Sequence, residues 1–245
     1  MKSQEWQYGL HAVQALLKTN PERVKELRLQ RGRDDERIKK IVQMAERHGT
    51  PITWVNRKEM DKAADGRHQG VMALCEGGEI RDEHYLMQLV ERLDRPPFLL
   101  VLDGVTDPHN LGACLRSADA AGVDAVIAPK DRSVGITPTV SKVACGAAES
   151  VPFVVVTNLA RTLKQLQEAG VWMVGTAGEA DELVYSADLK GPLALVMGAE
   201  EKGMRRLTRE QCDALVKLPM AGEVSSLNVS VATGVCLFEA VRQRG

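Results

Sequence analysis

The fold is decided by LDGVTDPHNLGACLRSADAAG, residues 102–122, where an apolar strand runs through one polar loop into a helix. The strand is the apolar run 98–102, and apolar residues recur at helical spacing after Asn110. Around the turn the stretch gathers an amide, the guanidinium of Arg116 and three carboxylates. Ligands of α/β proteins bind outside the carboxyl ends of parallel strands. The stretch therefore predicts an active site at this loop.

Strands and helices alternate from residue 97 to the C-terminus, which is typical of a parallel sheet. The expected strands are residues 98–102, 125–128, 153–156, 172–175, 193–197 and 214–218. Helices fall between them, one of them at 139–148, and a helix at 228–242 closes the chain.

The first 76 residues alternate shorter elements and predict a small α/β sandwich. Its helices are expected at 11–17, 35–48 and 58–64, and its strands at 26–29, 52–55 and 71–74. We divide the chain into an N-terminal domain of residues 1–76, a linker of residues 77–96 with a helix at 82–93, and a C-terminal domain of residues 97–245.

Composition narrows the class of protein. The chain has 245 residues, of which 44% are hydrophobic, so it can bury two cores. No stretch approaches the roughly 18 apolar residues that a membrane helix needs, and residues 1–7 have no apolar signal core. We expect a soluble, cytoplasmic protein without a membrane partner. Five cysteines without a Cys-x-x-Cys pair predict free, buried thiols, and Cys145 is expected to pack in the core.

Charge is distributed unevenly along the chain. Residues 1–78 carry 15 Lys and Arg against 11 Asp and Glu, whereas residues 79–245 carry 17 against 22. The N-terminal part is therefore the candidate surface for a polyanion, although the excess is also compatible with ordinary solvated surface. No metal site is expected, because His11, His68 and His109 lie in no H-x-x-x-H or H-x-E pattern.

A second motif is LALVMGAEEKGM, residues 193–204, in which a strand runs into Gly198, Glu200 and Gly203. Glycines let a ligand approach the backbone closely, although a plain turn uses them too. The sequence contains neither G-x-G-x-x-G nor G-x-x-x-x-G-K, which argues against ordinary NAD or ATP chemistry.

A third motif is LPMAGEVSSLNVSVATGVCLFEAVRQ, residues 218–243, where polar residues precede the long apolar helix. Either Ser226 or Asn228 can cap that helix. Capping uses one residue, so the remaining hydroxyls and amide of this run are available to a ligand. We expect both capping and a functional role.

These three segments, in this order, closely resemble the signature motifs of the SpoU (TrmH) family of ribose 2′-O-methyltransferases, within the SPOUT superfamily. The match spans residues 110–116, 198–203 and 219–228. The start at residues 8–13 and the loop at 68–70 are similar to the family's substrate-binding domain. The resemblance thus covers nearly the whole chain.

The resemblance implies a small ribosomal-protein-like α/β domain followed by a SPOUT-type parallel-sheet domain, whose C-terminal segment is threaded into a trefoil knot. It also implies a homodimer with the active site near the dimer interface. S-adenosylmethionine would be held in a bent shape by loops around Thr176, Ala177, Gly198, Leu218 and Leu227.

The implied activity is methyl transfer from S-adenosylmethionine to a guanosine ribose 2′-hydroxyl of 23S ribosomal RNA, naked or in a precursor particle. The implied catalytic residues are Asn110, Arg116, Glu200, Ser226 and Asn228. The family assigns the proton acceptor to the arginine, but a guanidinium stays protonated in proteins. Glu200 and a substrate phosphate are the alternatives. The candidate RNA contacts are Arg23, Lys25, Arg28, Arg31, Arg33 and His68.

Two other functions stay open at this point. One is a non-catalytic RNA-binding factor of ribosome assembly that keeps the fold as a scaffold. The other is a transfer-RNA ribose 2′-O-methyltransferase of the same family. The complete set of motif residues argues against the scaffold, and the N-terminal domain favours ribosomal RNA.

Overall fold

The computed structural model describes residues 4–64, 68–76, 81–199 and 202–245. Its strands are β1 Gln4–Tyr8, β2 Val24–Gln30, β3 Ile52–Val55, β4 Val71–Glu76, β5 Phe98–Asp103, β6 Ala125–Pro129, β7 Phe153–Val156, β8 Trp172–Thr176, β9 Glu182–Leu183, β10 Leu193–Gly198 and β11 Ala214–Lys217. Its helices are α1 Leu10–Thr19, α2 Glu36–Arg47, α3 Arg57–Ala63, α4 Glu83–Arg92, α5 Pro108–Ala121, α6 Pro138–Ala144, α7 Ala147–Ser150, α8 Leu159–Glu168, α9 Arg206–Glu210 and α10 Val229–Arg244.

The chain forms two compact units. The first comprises Met1–Glu79 with Ile136–Ser150, and the second comprises Ile80–Gly135 with Val151–Gly245. We expected residues 136–150 in the C-terminal domain, yet they pack within the first unit. The expected linker helix, now α4, belongs to the second unit, where Leu86 is fully buried. Periodicity predicts a helix but not the core against which it packs.

The first unit is built on a mixed sheet of order β1-β4-β2-β3. Strand β4 runs antiparallel to β1 and β2, and β3 runs parallel to β2. Leu16 and Leu17 of α1, Leu27 of β2 and Ile41 of α2 are fully or almost fully buried in one cluster. The predicted α/β sandwich is confirmed, with β1 as an additional strand.

The second unit contains seven parallel strands in the order β7-β6-β5-β10-β8-β11-β9. All six predicted strands are present within one residue at each end. The two-residue edge strand β9 was not predicted, because so short a segment has no periodicity. Strand β5 is buried along its whole length, as expected for a parallel sheet covered on both faces.

The helix after the first motif begins three residues earlier than expected, because residues 108–110 form its first turn instead of ending the loop. The Asp107 carboxylate caps α5 by accepting a hydrogen bond from the Asn110 backbone N–H at 2.8 Å. Pro108 occupies the first turn, and Gly122 ends the helix at φ +74°. This cap places Asn110 in the first turn of α5, directly after β5.

The predicted core position of Cys145 is wrong. The expected helix at 139–148 is interrupted between α6 and α7, and Cys145 is exposed at φ +54°, where it ends α6. Cys75, Cys114 and Cys236 are buried, as expected. Burial raises the pKa of the Cys236 thiol to about 12.

No helix in the described ranges has both the length and the apolar character needed to cross a bilayer. The knot that the resemblance implies stays a prediction.

The C-terminal end of α10 holds the segment that leads into β10. The Arg244 guanidinium donates to the carbonyl oxygens of Leu189, Gly191 and Pro96 at 3.3, 2.7 and 3.1 Å. It also stacks 4.8 Å from the centre of the Phe98 ring. One side chain therefore ties the last helix to the starts of two central strands.

We expect Arg244→Ala to lower the free energy of unfolding by about 2 kcal/mol, because hydrogen bonds from a charged donor are each worth roughly 1.5–3 kcal/mol. Urea denaturation followed by circular dichroism measures this change. The matched control is Lys190→Ala in the same segment, since the exposed Lys190 side chain forms no ion pair with the described residues. An Arg244→Ala midpoint equal to that of the control would contradict the anchoring role.

Candidate active site

Two adjoining cavities lie in the second unit, at the carboxyl ends of its central strands. The first cavity has a volume of about 410 Å³ and is lined by residues 176–179, 197–199, 216–218 and 225–227, among others. The second cavity has a volume of about 620 Å³ and is lined by residues 103–107 together with Asn110, Arg132, Lys202 and Arg205, among others. The two cavities share Ala199, Lys202, Gly203 and Val229.

The first cavity collects all the residues expected to hold the cofactor. These are Thr176, Ala177, Gly198, Leu218 and Leu227, and Ser226 lines the cavity with them. They come from the ends of β8 and β10, from the position after β11 and from the loop before α10. Strands β10, β8 and β11 are neighbours in the sheet, so three loops that are distant in sequence meet at one edge.

The backbone around position 198 leaves room only for glycine. A Cβ atom added there would lie 2.3 Å from the carbonyl carbon of Gly203 and from the nitrogen of Met204. The backbone returns so closely because Ala199 and Gly203 exchange two hydrogen bonds, of 3.1 and 2.8 Å. Glu200, a predicted catalytic residue, lies outside the described residues.

Asn110 and Asn228 meet from two different helices. The Asn228 Nδ2 donates to Asn110 Oδ1 at 3.0 Å. Asn228 also caps α10, since its Oδ1 accepts a hydrogen bond of 2.9 Å from the Ser230 N–H. Asn110 lines the second cavity. The structure thus brings together two of the predicted catalytic amides, at the amino ends of α5 and α10.

Arg116 lies apart from the pair formed by Asn110 and Asn228. It lies on α5 six residues beyond Asn110, is exposed, and is absent from the described residues that line the two cavities. The implied catalytic roles of Asn110, Arg116 and Glu200 require these three side chains to converge on one pocket. Within a single chain, the structure does not place Arg116 in the pocket that Asn110 lines.

Two ion pairs at the cavities were not predicted from the sequence. Asp103 is 1% exposed and accepts hydrogen bonds from the Arg205 backbone N–H at 2.8 Å and from its Nε at 2.6 Å. At the first cavity, Arg209 pairs with Glu179 and lowers the pKa of the Glu179 carboxyl. Both pairs join segments that only the sheet order makes neighbours.

The structure gives His68 and Arg23 internal partners. His68 is buried, its Nε2 lies 2.9 Å from an Asp61 carboxylate oxygen, and its Nδ1 accepts from the Gly70 N–H at 3.0 Å. Arg23 lies 2.6 Å from the Glu149 carboxylate. Both side chains therefore stabilise the first unit, in addition to any contact with RNA.

The other four candidate RNA contacts lie on the first unit with different degrees of charge compensation. Their partners are Glu76 for Lys25, Glu26 and the Trp6 ring for Arg28, the Trp54 carbonyl for Arg31, and Asp35 for Arg33. Arg31 is exposed and has no carboxylate partner among the described residues. It is therefore the candidate whose charge is most available to a polyanion.

Residues 97–238 match the SpoU rRNA Methylase family, and residues 7–80 match the RNA 2′-O ribose methyltransferase substrate binding family. The chain is 62% identical to the 23S rRNA (guanosine-2′-O-)-methyltransferase RlmB of Shewanella oneidensis, over 100% of this chain and 99% of that protein. It is 61% identical to the protein of the same name from Escherichia coli K12, over 97% and 98% of the two chains.

A solved structure shares the fold. It is the SpoU methyltransferase AviRb from Streptomyces viridochromogenes, crystallised with AdoMet, which matches with a TM-score of 0.82 at 24% identity and covers 98% of this chain and 90% of that one. The family matches span both the substrate-binding part and the sheet that carries the two cavities. The chain therefore belongs to the SpoU rRNA methylase family.

Proposed function

We propose that this protein transfers a methyl group from S-adenosylmethionine to the 2′-hydroxyl of a guanosine ribose in 23S ribosomal RNA, acting in the cytoplasm on the RNA or on an assembling particle. The observation that carries the proposal is the shared wall between the two cavities. A cofactor in the first cavity and a nucleotide in the second would meet across Ala199 and Gly203. The RlmB relatives, at 61–62% identity, support the reaction and the RNA.

The first cavity fits the proposed cofactor chemically. Backbone groups at the strand ends offer donors and acceptors to an adenosine, and Met197, Leu218 and Leu227 provide apolar surface for its ring. S-adenosylmethionine supplies an electrophilic methyl group when bound.

The chain's own residues would align the hydroxyl and manage its proton. A ribose hydroxyl is a weak nucleophile, so positioning and proton removal both lower the barrier. Asn110, held by Asn228, is placed to orient the ribose in the second cavity. Ser226 lines the first cavity and can hold the cofactor. The proton acceptor stays a prediction among Glu200, Arg116 and a substrate phosphate.

We infer a homodimer in which α10 contributes to the interface. Val231 and Phe238 lie two helical turns apart on α10, so they share one face, and they are 52% and 50% exposed. Large apolar side chains exposed together mark a surface that associates. The exposed Arg116 on α5, which packs on α10, would then serve the cavity of the second protomer.

The direct test is tritium transfer from methyl-labelled S-adenosylmethionine to RNA, followed by mapping of the modified position. We expect label at a guanosine ribose of 23S ribosomal RNA. RNA binding without transfer would support the assembly-factor alternative, and label in transfer RNA instead would support the other family activity.

We expect Arg31→Glu to raise the KM for RNA by about tenfold and to lower the salt dependence of binding by about one counterion, because one phosphate contact is lost. Cofactor affinity should be unchanged, since Arg31 lies in the first unit and both cavities lie in the second. The control is Lys40→Glu, an equal change of charge at an exposed position on α2. Equal KM values for the two variants would remove Arg31 from the RNA surface.

A further inference from the structure

The second cavity carries cationic side chains that have no ion-pair partner within the described part of the chain. Three cationic side chains line it, and only Arg205 pairs with a carboxylate, that of Asp103. Arg132 and Lys202 are exposed and form no ion pair with any described residue. Asp107, the other carboxylate among the described lining residues, caps α5 and keeps its charge, so three cations face two carboxylates in this lining.

The sheet order places these two cations on either side of Asn110. Strand β5 lies between β6 and β10 in the sheet. Asn110 follows β5, whereas Arg132 follows β6 and Lys202 follows β10. Neighbouring strands are about 4.8 Å apart, so loops from β6 and β10 reach the cavity from two sides of the loop that follows β5.

Arg132 is held in an uncommon backbone conformation. Its φ is +59°, in the left-handed region that residues with a Cβ atom rarely adopt. The Val134 N–H donates to the Val105 carbonyl at 3.1 Å, which fastens this loop to the loop after β5. Strained conformations persist where the surrounding structure enforces them, and they are concentrated at functional sites. Here the strained residue presents a guanidinium at the cavity.

We propose that the second cavity binds the target nucleotide and that Arg132 and Lys202 hold the RNA phosphates on the two sides of the ribose to be methylated. This inference rests on the proposed function. Every internal ribose is flanked by two phosphates, and the site offers two cations on the two sides of Asn110, neither of them paired with a carboxylate among residues 4–64, 68–76, 81–199 and 202–245. The guanidinium can bind phosphate in a forked geometry, and the ammonium binds it as a point charge. We call Arg132 and Lys202 together the phosphate clamp. The phosphate clamp fixes the position of the nucleotide along the RNA strand and makes no base-specific contact.

The test measures RNA affinity, its salt dependence, KM and kcat for Arg132→Ala, Lys202→Ala and the double variant. Each single variant should weaken RNA binding by about tenfold and lower the salt slope by about one, and the double variant should weaken binding about 100-fold. The affinity for S-adenosylmethionine, measured by calorimetry, should stay within about twofold for Arg132→Ala, because Arg132 does not line the first cavity. The matched control is Arg206→Ala, an exposed cation that lines neither cavity and pairs with Glu210 on its own helix.

Arg132→Gly separates charge from backbone strain. Glycine adopts positive φ without cost, so this variant should keep the loop and the thermal stability of the protein. It should still lose RNA affinity as Arg132→Ala does, and Arg132→Lys should recover part of it. A loss of RNA binding in Arg132→Ala that Arg132→Gly restores would overturn the phosphate role.

The possible outcomes distinguish a failure of the phosphate clamp from a failure of the proposed methyl transfer. Unchanged RNA affinity and salt slope in the double variant would overturn the phosphate clamp while methyl transfer by the wild-type protein stands. Absence of methyl transfer by the wild-type protein, with weakened RNA binding in the variants, would overturn the proposed function and still support a phosphate site.

Discussion

Gly198→Ala is expected to weaken the binding of S-adenosylmethionine by at least about 100-fold, because the backbone of Gly203 and Met204 leaves no room for an added methyl group. The Cβ atom would lie 2.3 Å from two backbone atoms, and backbone cannot rotate away as a side chain can. Ala199, Lys202 and Gly203 line both cavities, so a displacement of their backbone deforms both. Calorimetric titration measures the loss, and circular dichroism verifies that the variant is folded.

Substitutions at two other glycines are expected to weaken cofactor binding less than Gly198→Ala does. Gly203→Ala meets no atom within 4 Å but has φ +61°, so it should weaken binding by about fivefold, in line with a backbone cost of roughly 1 kcal/mol. Gly135→Ala has neither obstacle and lies outside both cavities, so it should bind as the wild type does. Equal affinities for Gly198→Ala and Gly135→Ala would show that the loop geometry does not govern the cofactor site.

Arg116→Lys is expected to lower kcat by about 100-fold or more while leaving cofactor affinity unchanged. The lysine keeps the charge but loses the planar fork that binds phosphate in two places. Loss of one preorganised donor at a reaction centre typically costs 10²–10³ in rate. Arg116 lines neither cavity of its own chain, which is why the cofactor should still bind. Turnover near that of the wild type would exclude Arg116 from the mechanism.

Mixing protomers tests where the guanidinium acts. Arg116→Lys and Gly198→Ala are each expected to be nearly inactive alone. In the proposed homodimer, a mixed dimer contains one site that combines an intact cavity with an intact arginine, provided that the arginine acts across the interface. A statistical mixture of equal amounts should recover about one quarter of the wild-type rate, since half of its twofold-symmetric dimers are mixed and each has one good site of two. No recovery would place Arg116 and the cavity of the same chain in one site.

The success of the strand predictions has a local cause. Parallel strands buried on both faces consist of continuous apolar runs, and each of the six predicted strands, such as β5, stands between turn residues. The start of α5 was expected after Asn110 and lies at Pro108; the signal for it was also local, because Asp107 and Pro108 are residue types that begin helices. The five expected cofactor residues came from the family resemblance, and the structure brings all of them to the first cavity.

The predictions that failed did so because of contacts between segments that are distant in the sequence. The exposure of Cys145 follows from a break between α6 and α7 at Gly146, where an added Cβ would lie 2.5 Å from Ala15 of α1. The basic residues of the first unit looked equivalent in the sequence, but carboxylates from other segments pair with Arg23 and Lys25 and not with Arg31. Charge counts cannot show which cations are compensated.

The sequence by itself determined six strands of the parallel sheet, three strands of the N-terminal sheet, and the family. These depend on periodicity, caps and short motifs, which are properties of neighbouring residues. Only the tertiary structure decided that β5 lies between β6 and β10, that the two cavities share a wall, and that Arg132 and Lys202 flank Asn110. Strand order arises from pairing between segments up to about a hundred residues apart. The free energy of that pairing comes from burying apolar side chains of one segment against another, and a pattern within one segment does not show which other segment it meets.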